Sequence, residues 1–232
     1  LNNLSQIPLV ILAGGKGSRL QEYTNKIPKP LLKLKNKPLI DIIINQYKKY
    51  GVEKVIVAAG YKHELLTKHF KNKKNIQVVN TGLNSLTGLR IKKIEKFIKT
   101  DNFFLTYGDG ISNISIKKLY NFHLKHKKIG TVTGVHPPSR FGVLNIKNNV
   151  LKSFDEKPQL SSGWINGGYF VFKKEFFNFV NFKNVMLERD PMTKICKKKQ
   201  MNVFLHNDFW RCIDTVRDLK LLEEMNLKNL NG

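Results

Sequence analysis

The chain has 232 residues, with 41 Lys and Arg against 17 Asp and Glu, a formal charge of +24, 41% apolar residues and two cysteines. That length can bury one full core, while the apolar run at 9–13 falls far short of the roughly 20 residues of a membrane helix, and 1–8 lacks the cationic start and apolar centre of a secretory signal. Cys196 and Cys212 form no disulfide or metal pattern, which fits a reducing cytoplasm; 35 of the 41 cations are Lys scattered along the whole chain, which reads as a solvated surface rather than a specific nucleic-acid module.

In chain order, residues 1–8 read as a linker from a segment upstream of Leu1, and 9–13 as a first buried strand. A loop follows through Ile27-Pro28-Lys29-Pro30, where the prolines forbid regular structure. Pro38 suits a first helical turn, apolar residues at 40, 43, 44 and 47 continue the helix, and Gly51 suits its stop. Then 54–59 reads as a strand, 61–70 as a short helix, 76–79 as a strand, 87–98 as a helix and 103–106 as another strand. This alternation with short connections implies a parallel sheet wrapped by helices through right-handed crossovers.

The second half differs. Strand-like runs at 130–136, 141–146, 150–154 and 167–172 are separated by Pro, Gly and Ser, and helical segments return near 188–199 and 215–227. The expectation is one α/β domain over 1–232: a Rossmann-like mixed, mostly parallel sheet flanked by helices, with additional antiparallel strands in the C-terminal half. His63, His69, His123 and His126 lack metal-ligand spacing and read as helix-surface residues, so no zinc site is expected.

In a parallel sheet the loop after the first strand is the usual phosphate site, and Gly14-Gly15-Lys16-Gly17-Ser18-Arg19 falls there. It is not a P-loop, because Gly17 follows Lys16 where a hydroxyl residue should hold magnesium. Nor is it a dinucleotide fingerprint, because Leu20 stands where a third glycine belongs. The loop from Leu12 to Arg19, with Lys29 between two prolines ten residues later, resembles that of the sugar-phosphate nucleotidyltransferase family. Further motifs follow in the family's order: "NTGLNSLTGLR" from 80, "LTYGDGISN" from 105, "PPSRFGVL" from 137, "DEKP" from 155, "GWINGGYFVF" from 163, "ERDP" from 188 and "FWRCIDTVRD" from 209.

The resemblance implies attack of a sugar 1-phosphate oxygen on the α-phosphorus of a nucleoside triphosphate, with loss of pyrophosphate. A phosphate monoester with a second pKa of about 6 needs no strong general base, so the expected machinery is cations and a metal site. Leu12, Ala13, Gly14, Gly15, Gly17 and Ser18 would cradle the triphosphate, Arg19 would fork the β- and γ-phosphates, and Lys29 would sit near the α-phosphate. Asp109, with Gly108 leaving room for nucleotide, and Asp214 would hold Mg²⁺. Asp109 also reads as a turn aspartate and Asp214 as a helix N-cap.

On the acceptor side, Lys157 resembles the lysine that grips the sugar phosphate and Glu156 the carboxylate that accepts sugar hydroxyls. Asn166 and Gly167 resemble the sugar-facing pair, and Gly142 an equivalent close approach. Trp164 and Tyr169 suit either the sugar or the core, Arg90 and Arg140 either phosphate or a structural ion pair, and Glu188 matches a family position without an assigned chemistry. Thr81-Gly82 stands where uridylyl and thymidylyl enzymes carry a base-reading Gln-Pro, and with Thr87-Gly88 it gives the Thr-Gly…Thr-Gly form that resembles the cytidylyltransferase pattern.

Three features depart from that pattern: Leu89 replaces a glycine, Arg211-Cys212 replaces Gln-Pro, and the stretch between 70 and 76 is shorter than expected. The reading is a Mg²⁺-dependent, cytoplasmic cytidylyltransferase using CTP and a sugar 1-phosphate, homo-oligomeric, with no membrane or specific nucleic-acid partner. Another nucleotide, a non-sugar phosphorylated acceptor and a non-catalytic nucleotide-binding regulator stay open.

Overall fold

The apolar run Leu9–Ala13 is strand β1, with all five side chains buried, as befits a strand covered on both faces. The computed structural model describes residues 3–139, 143–155 and 163–225. After β1 come helix α1 (Gln21–Thr24), the short strands β2 (Lys33–Leu34) and β3 (Lys37–Pro38), and helix α2 (Leu39–Lys48). Strand β4 (Val55–Ala59), α3 (His63–Phe70), β5 (Ile76–Asn80), α4 (Thr87–Ile94) and β6 (Asn102–Tyr107) complete the alternating half. The remainder runs β7 (Gly110–Ser112), α5 (Ile116–His126), β8 (Gly130–Val135), β9 (Val143–Lys147), β10 (Val150–Asp155) and β11 (Ile165–Lys173). It closes with α6 (Asp190–Lys197), β12 (Met201–His206), β13 (Trp210–Cys212) and α7 (Val216–Glu224).

Seven strands form the main sheet in the order β12-β8-β11-β6-β1-β4-β5. β1 runs parallel to β4 and β6, β4 to β5, and β12 to β8; β11 alone among them is antiparallel, to β6 and β8. The mixed, mostly parallel sheet is the one expected, and the β9–β10 hairpin adds the antiparallel strands. Alternate residues of β1 feed opposite faces: Leu9, Ile11 and Ala13 pack with α2 and α3, whereas Val10 and Leu12 pack with Ile91 and Ile94 of α4. Chain order reverses at β1, with β4 on one side and β6 on the other, so a crevice opens beyond its carboxyl end.

Some local expectations shift. Pro38 is not in the first turn of α2; its ψ of 139° keeps it extended, and the helix begins after it. Gly51 takes φ +87°, the left-handed stop expected there. β12 and the β7–β13 ribbon had no forecast, because three-residue strands carry no readable period and β12 is half exposed. Among the described residues no helix is long and apolar enough to cross a membrane.

His123 is corrected most clearly. It lies on α5 as expected but faces inward, fully buried, with Nδ1 2.9 Å from Thr131 Oγ1 and Nε2 3.2 Å from Asn102 Oδ1. His126 reaches the same Thr131 hydroxyl at 2.7 Å. Burial first, then the neighbouring His126 and Lys173, pushes the His123 pKa down to about 3. The unfolded chain takes this proton near pH 6.5 and the folded chain does not, so stability contributed by neutral His123 is lost as pH falls from about 6.5 towards 3. In urea titrations the unfolding free energy should fall by up to about 1.4 kcal/mol per pH unit more steeply in this window than in His123→Gln; parallel pH profiles for the two would refute it.

Candidate active site

The three glycines after β1 are small for different reasons. A Cβ on Gly14 would stand 2.1 Å from the Arg90 guanidinium carbon, whereas one on Gly15 would meet nothing within 4 Å. Gly17 takes φ +64°, which opens the 3-10 turn Ser18–Leu20, and a side chain there would press on Thr24 at 2.9 Å. Backbone N–H groups on a loop of this kind suit an anion.

Over the loop lies a cleft of about 350 Å³. It gathers Leu12, Ala13, Gly14, Gly15, Gly17, Ser18, Arg19, Lys29, Thr87, Arg90, Gly108, Asp109 and Asp214 from the expected residues. Ser85, Leu86, Tyr107 and Met186 line it without having been expected; Leu86 and Met186 are ordinary apolar residues whose role depends on two distant loops meeting.

Two carboxylates and two cations form the polar centre of the cleft. Asp109 follows β6 and Asp214 follows β13; the ribbon pairs Cys212 with Gly110, and the Ile213 N–H donates to the Asp109 carbonyl at 3.0 Å. The Lys29 ammonium then lies 2.6 Å from Asp109 Oδ2 and 2.9 Å from Asp214 Oδ1, and Arg19 Nη1 lies 3.0 Å from Asp214 Oδ2. Burial by itself would lower the Lys29 pKa, but the charge of Asp109 and hydrogen bonds to both carboxylates hold it above the usual range. Burial would raise Asp214, and bonding to Lys29 and the charge of Arg19 hold it below.

The N-cap reading of Asp214 is excluded. Thr215 caps α7 in a reciprocal box with Asp218, leaving the Asp214 side chain to the cations. The Asp109 and Asp214 carboxylates and the Cys212 thiol place their ligand atoms within 4.8 Å of one another. Two carboxylate oxygens flanking a bound ammonium fit the hard donors that a magnesium ion accepts, with phosphate and water completing its shell.

Arg90 lines the cleft and, among the described residues, has no carboxylate partner. It is 4% exposed, and its Nη1 donates to the carbonyls of Ala59 and Gly82 and to Thr81 Oγ1. Its Nη2 donates to the carbonyls of Gly14 and Leu83. The guanidinium therefore clamps the chain ends that leave β1, β4 and β5. Burial lowers its pKa.

The buried Thr81 hydroxyl donates to the Ala59 carbonyl, the Gly82 carbonyl accepts from Arg90, and neither residue is among the described residues that line the cleft. Gly88 is small because the Val185 carbonyl would lie 2.7 Å from a Cβ. Thr87 does line the cleft, donating to Glu188 Oε2 and accepting from the Leu187 N–H at 2.8 Å. Glu188 also accepts from the Tyr107 hydroxyl, whose pKa is raised by burial and by that carboxylate.

The acceptor side is only partly described. Arg140, Gly142, Glu156 and Lys157 lie outside the described residues. Asn166 is exposed and accepts from the Gly168 N–H at 2.8 Å, in a bulge where β11 shifts register. Gly167 is buried against β8, where a Cβ would meet Val135 at 2.7 Å. Tyr169 belongs to the core, with its hydroxyl 3.1 Å from Gln46 Oε1 and the Gly110 carbonyl. Trp164 is exposed and lies against His136, with ring centroids 3.9 Å apart.

Known proteins similar to this chain support one grouping. A glucose-1-phosphate cytidylyltransferase of Salmonella typhimurium is 34% identical, over 92% of this chain and 93% of its own. A D-glycero-alpha-D-manno-heptose 1-phosphate guanylyltransferase of Campylobacter jejuni is 29% identical over 90% and 95%. The crystal structure of HddC from Yersinia pseudotuberculosis superposes with a TM-score of 0.71 at 25% identity, covering 94% of this chain and 98% of that one. The nucleotidyl transferase family model matches residues 9–226, which span the glycine loop, both aspartates and the whole of the main sheet, and the chain belongs to that family.

Proposed function

We propose that this chain transfers the cytidylyl group of CTP to a sugar 1-phosphate, forming a CDP-sugar and releasing pyrophosphate. The observation that carries the reading is the Lys29 ammonium held between Asp109 and Asp214 at the mouth of the glycine loop. Attack of one phosphate oxygen on another phosphorus brings two polyanions together, so the dominant requirement is positive charge at the point of transfer. Arg19 and Lys29 supply it from opposite sides of Asp214.

Each group has a task that follows from its surroundings. The open space beside Gly15 admits a phosphate to the backbone N–H groups. Arg19, with its side chain 68% exposed, is free to fork the departing pyrophosphate, while Lys29, mostly buried, keeps its charge near the transferred phosphorus. Asp109 and Asp214 would hold Mg²⁺, which supplies further neutralisation of the triphosphate. The anionic acceptor phosphate attacks without a general base.

CTP is favoured by the cytidylyltransferase relative and by Thr87 of the Thr-Gly pattern, which lines the cleft. With Thr81 turned into the core, base selection falls to the wall formed by Ser85, Leu86 and Thr87, which docks through the Leu86 N–H on Asn184 Oδ1 and through Thr87 on Glu188. The guanylyltransferase relative makes GTP the competing nucleotide.

Pyrophosphate release measured with CTP, GTP, UTP, dTTP and ATP against hexose 1-phosphates, heptose 1-phosphates and non-sugar phosphates, with and without Mg²⁺, should show turnover with CTP, a sugar 1-phosphate and Mg²⁺. Preference for GTP would overturn the base assignment, and no turnover with any pair would overturn the enzyme. Asp109→Asn and Asp214→Asn should each lower turnover about 100-fold or more; near-normal rates would remove that residue from the centre.

The neighbouring glycines should separate in behaviour. Gly15→Ala should melt close to the unchanged chain while its nucleotide KM rises roughly tenfold. Gly14→Ala, forcing a methyl into Arg90, should cost about 2 kcal/mol or more and lower the melting temperature by several degrees. Equal melting temperatures for the two would refute the packing assigned to Gly14.

A further inference from the structure

Cys212 stands beside the carboxylate pair. Its Sγ and one oxygen from each of Asp109 and Asp214 all lie within 4.8 Å of one another. The register of the ribbon imposes this: Cys212 opposes Gly110, next to Asp109, and precedes Asp214 by two residues. A second feature marks the spot as one that holds a cation. The Lys29 ammonium lies 2.6 Å and 2.9 Å from the two carboxylates.

We propose that Cys212 turns this cation site into one that also takes thiophilic divalent ions of the zinc and cadmium class, through one sulfur and two carboxylate oxygens. The inference rests on the reading of Asp109 and Asp214 as the cation site. Zinc binds sulfur at about 2.3 Å and carboxylate oxygen at about 2.0–2.2 Å, so ligand atoms around a tetrahedral ion lie about 3.4–3.7 Å apart. Side-chain adjustments of about 1 Å bring the three groups to that spacing, and phosphate or water takes the fourth position.

Magnesium ignores sulfur, whereas softer ions select it. As the metal–sulfur bond forms, the thiol proton leaves to solvent and the Lys29 ammonium is displaced from the carboxylates. Such an ion occupies the place of Mg²⁺, so it acts as an inhibitor reversed by chelation.

The test is cadmium titration of the whole chain carrying Cys196→Ser, which removes the exposed thiol, read by the ultraviolet thiolate-to-cadmium charge-transfer band. One equivalent should saturate the band. Adding Cys212→Ser should abolish it, and adding Asp214→Asn should weaken cadmium binding, with circular dichroism confirming that each variant is folded. No band with Cys196→Ser alone, or a band that survives Cys212→Ser, would overturn the proposal. Mn²⁺ binding with CTP, read by electron paramagnetic resonance, separates the two ideas. Mn²⁺ binding without a cadmium band sinks only the thiophilic site, and a cadmium band without Mn²⁺ binding supports that site and sinks the magnesium reading.

Discussion

A single ammonium group between two carboxylates organises the cleft. Lys29, Asp109 and Asp214 come from three separate parts of the chain, and their side chains are between one-eighth and one-third exposed. Two carboxylates this close repel unless a cation lies between them, and removing it would leave uncompensated, partly buried charge. The β7–β13 ribbon supplies the backbone part of the arrangement by setting Asp109 beside Ile213, and Thr215 completes it by capping α7 in place of Asp214. The charge arrangement therefore depends on hydrogen bonds that contain no charge.

Arg90 performs the complementary task on the neutral side. Buried without a carboxylate partner among the described residues, it satisfies its donors on four backbone carbonyls and one hydroxyl. Those acceptors belong to the chain just beyond β1, β4 and β5, where three parallel strands would otherwise end in unpaired carbonyls under a cleft. The glycine loop is thereby anchored from below at Gly14 and left open from above at Gly15. The cost of desolvating a guanidinium is met by charge-assisted hydrogen bonds, which are about twice as strong as neutral ones.

Much of the fold was legible along the chain. β1 and β4 are uninterrupted apolar runs because both faces of the sheet are covered, and α2 shows its buried face at 40, 43, 44 and 47. The β7–β13 ribbon was not legible, since three residues hold no period and its partner is a hundred positions away. The orientation of α5 was missed for a related reason: histidine is as common on a helix surface as beneath it, and His123 is inward only because Thr131 and Asn102 meet it there.

The sequence by itself determined the chemistry available: a glycine loop with Arg19 and Lys29, two aspartates after strand-like runs, and the family to which this order of motifs belongs. Tertiary structure alone decided which groups meet. It bonded Arg90 and Thr81 to backbone carbonyls, gave Gly14 and Gly15 opposite environments, joined Thr87 to Glu188 and Tyr107, and set Cys212 beside the two aspartates. The reason is physical: residue type sets what a group can bond, whereas the partner it finds depends on strand register and loop packing between segments far apart in the chain, and neither is written in local spacing.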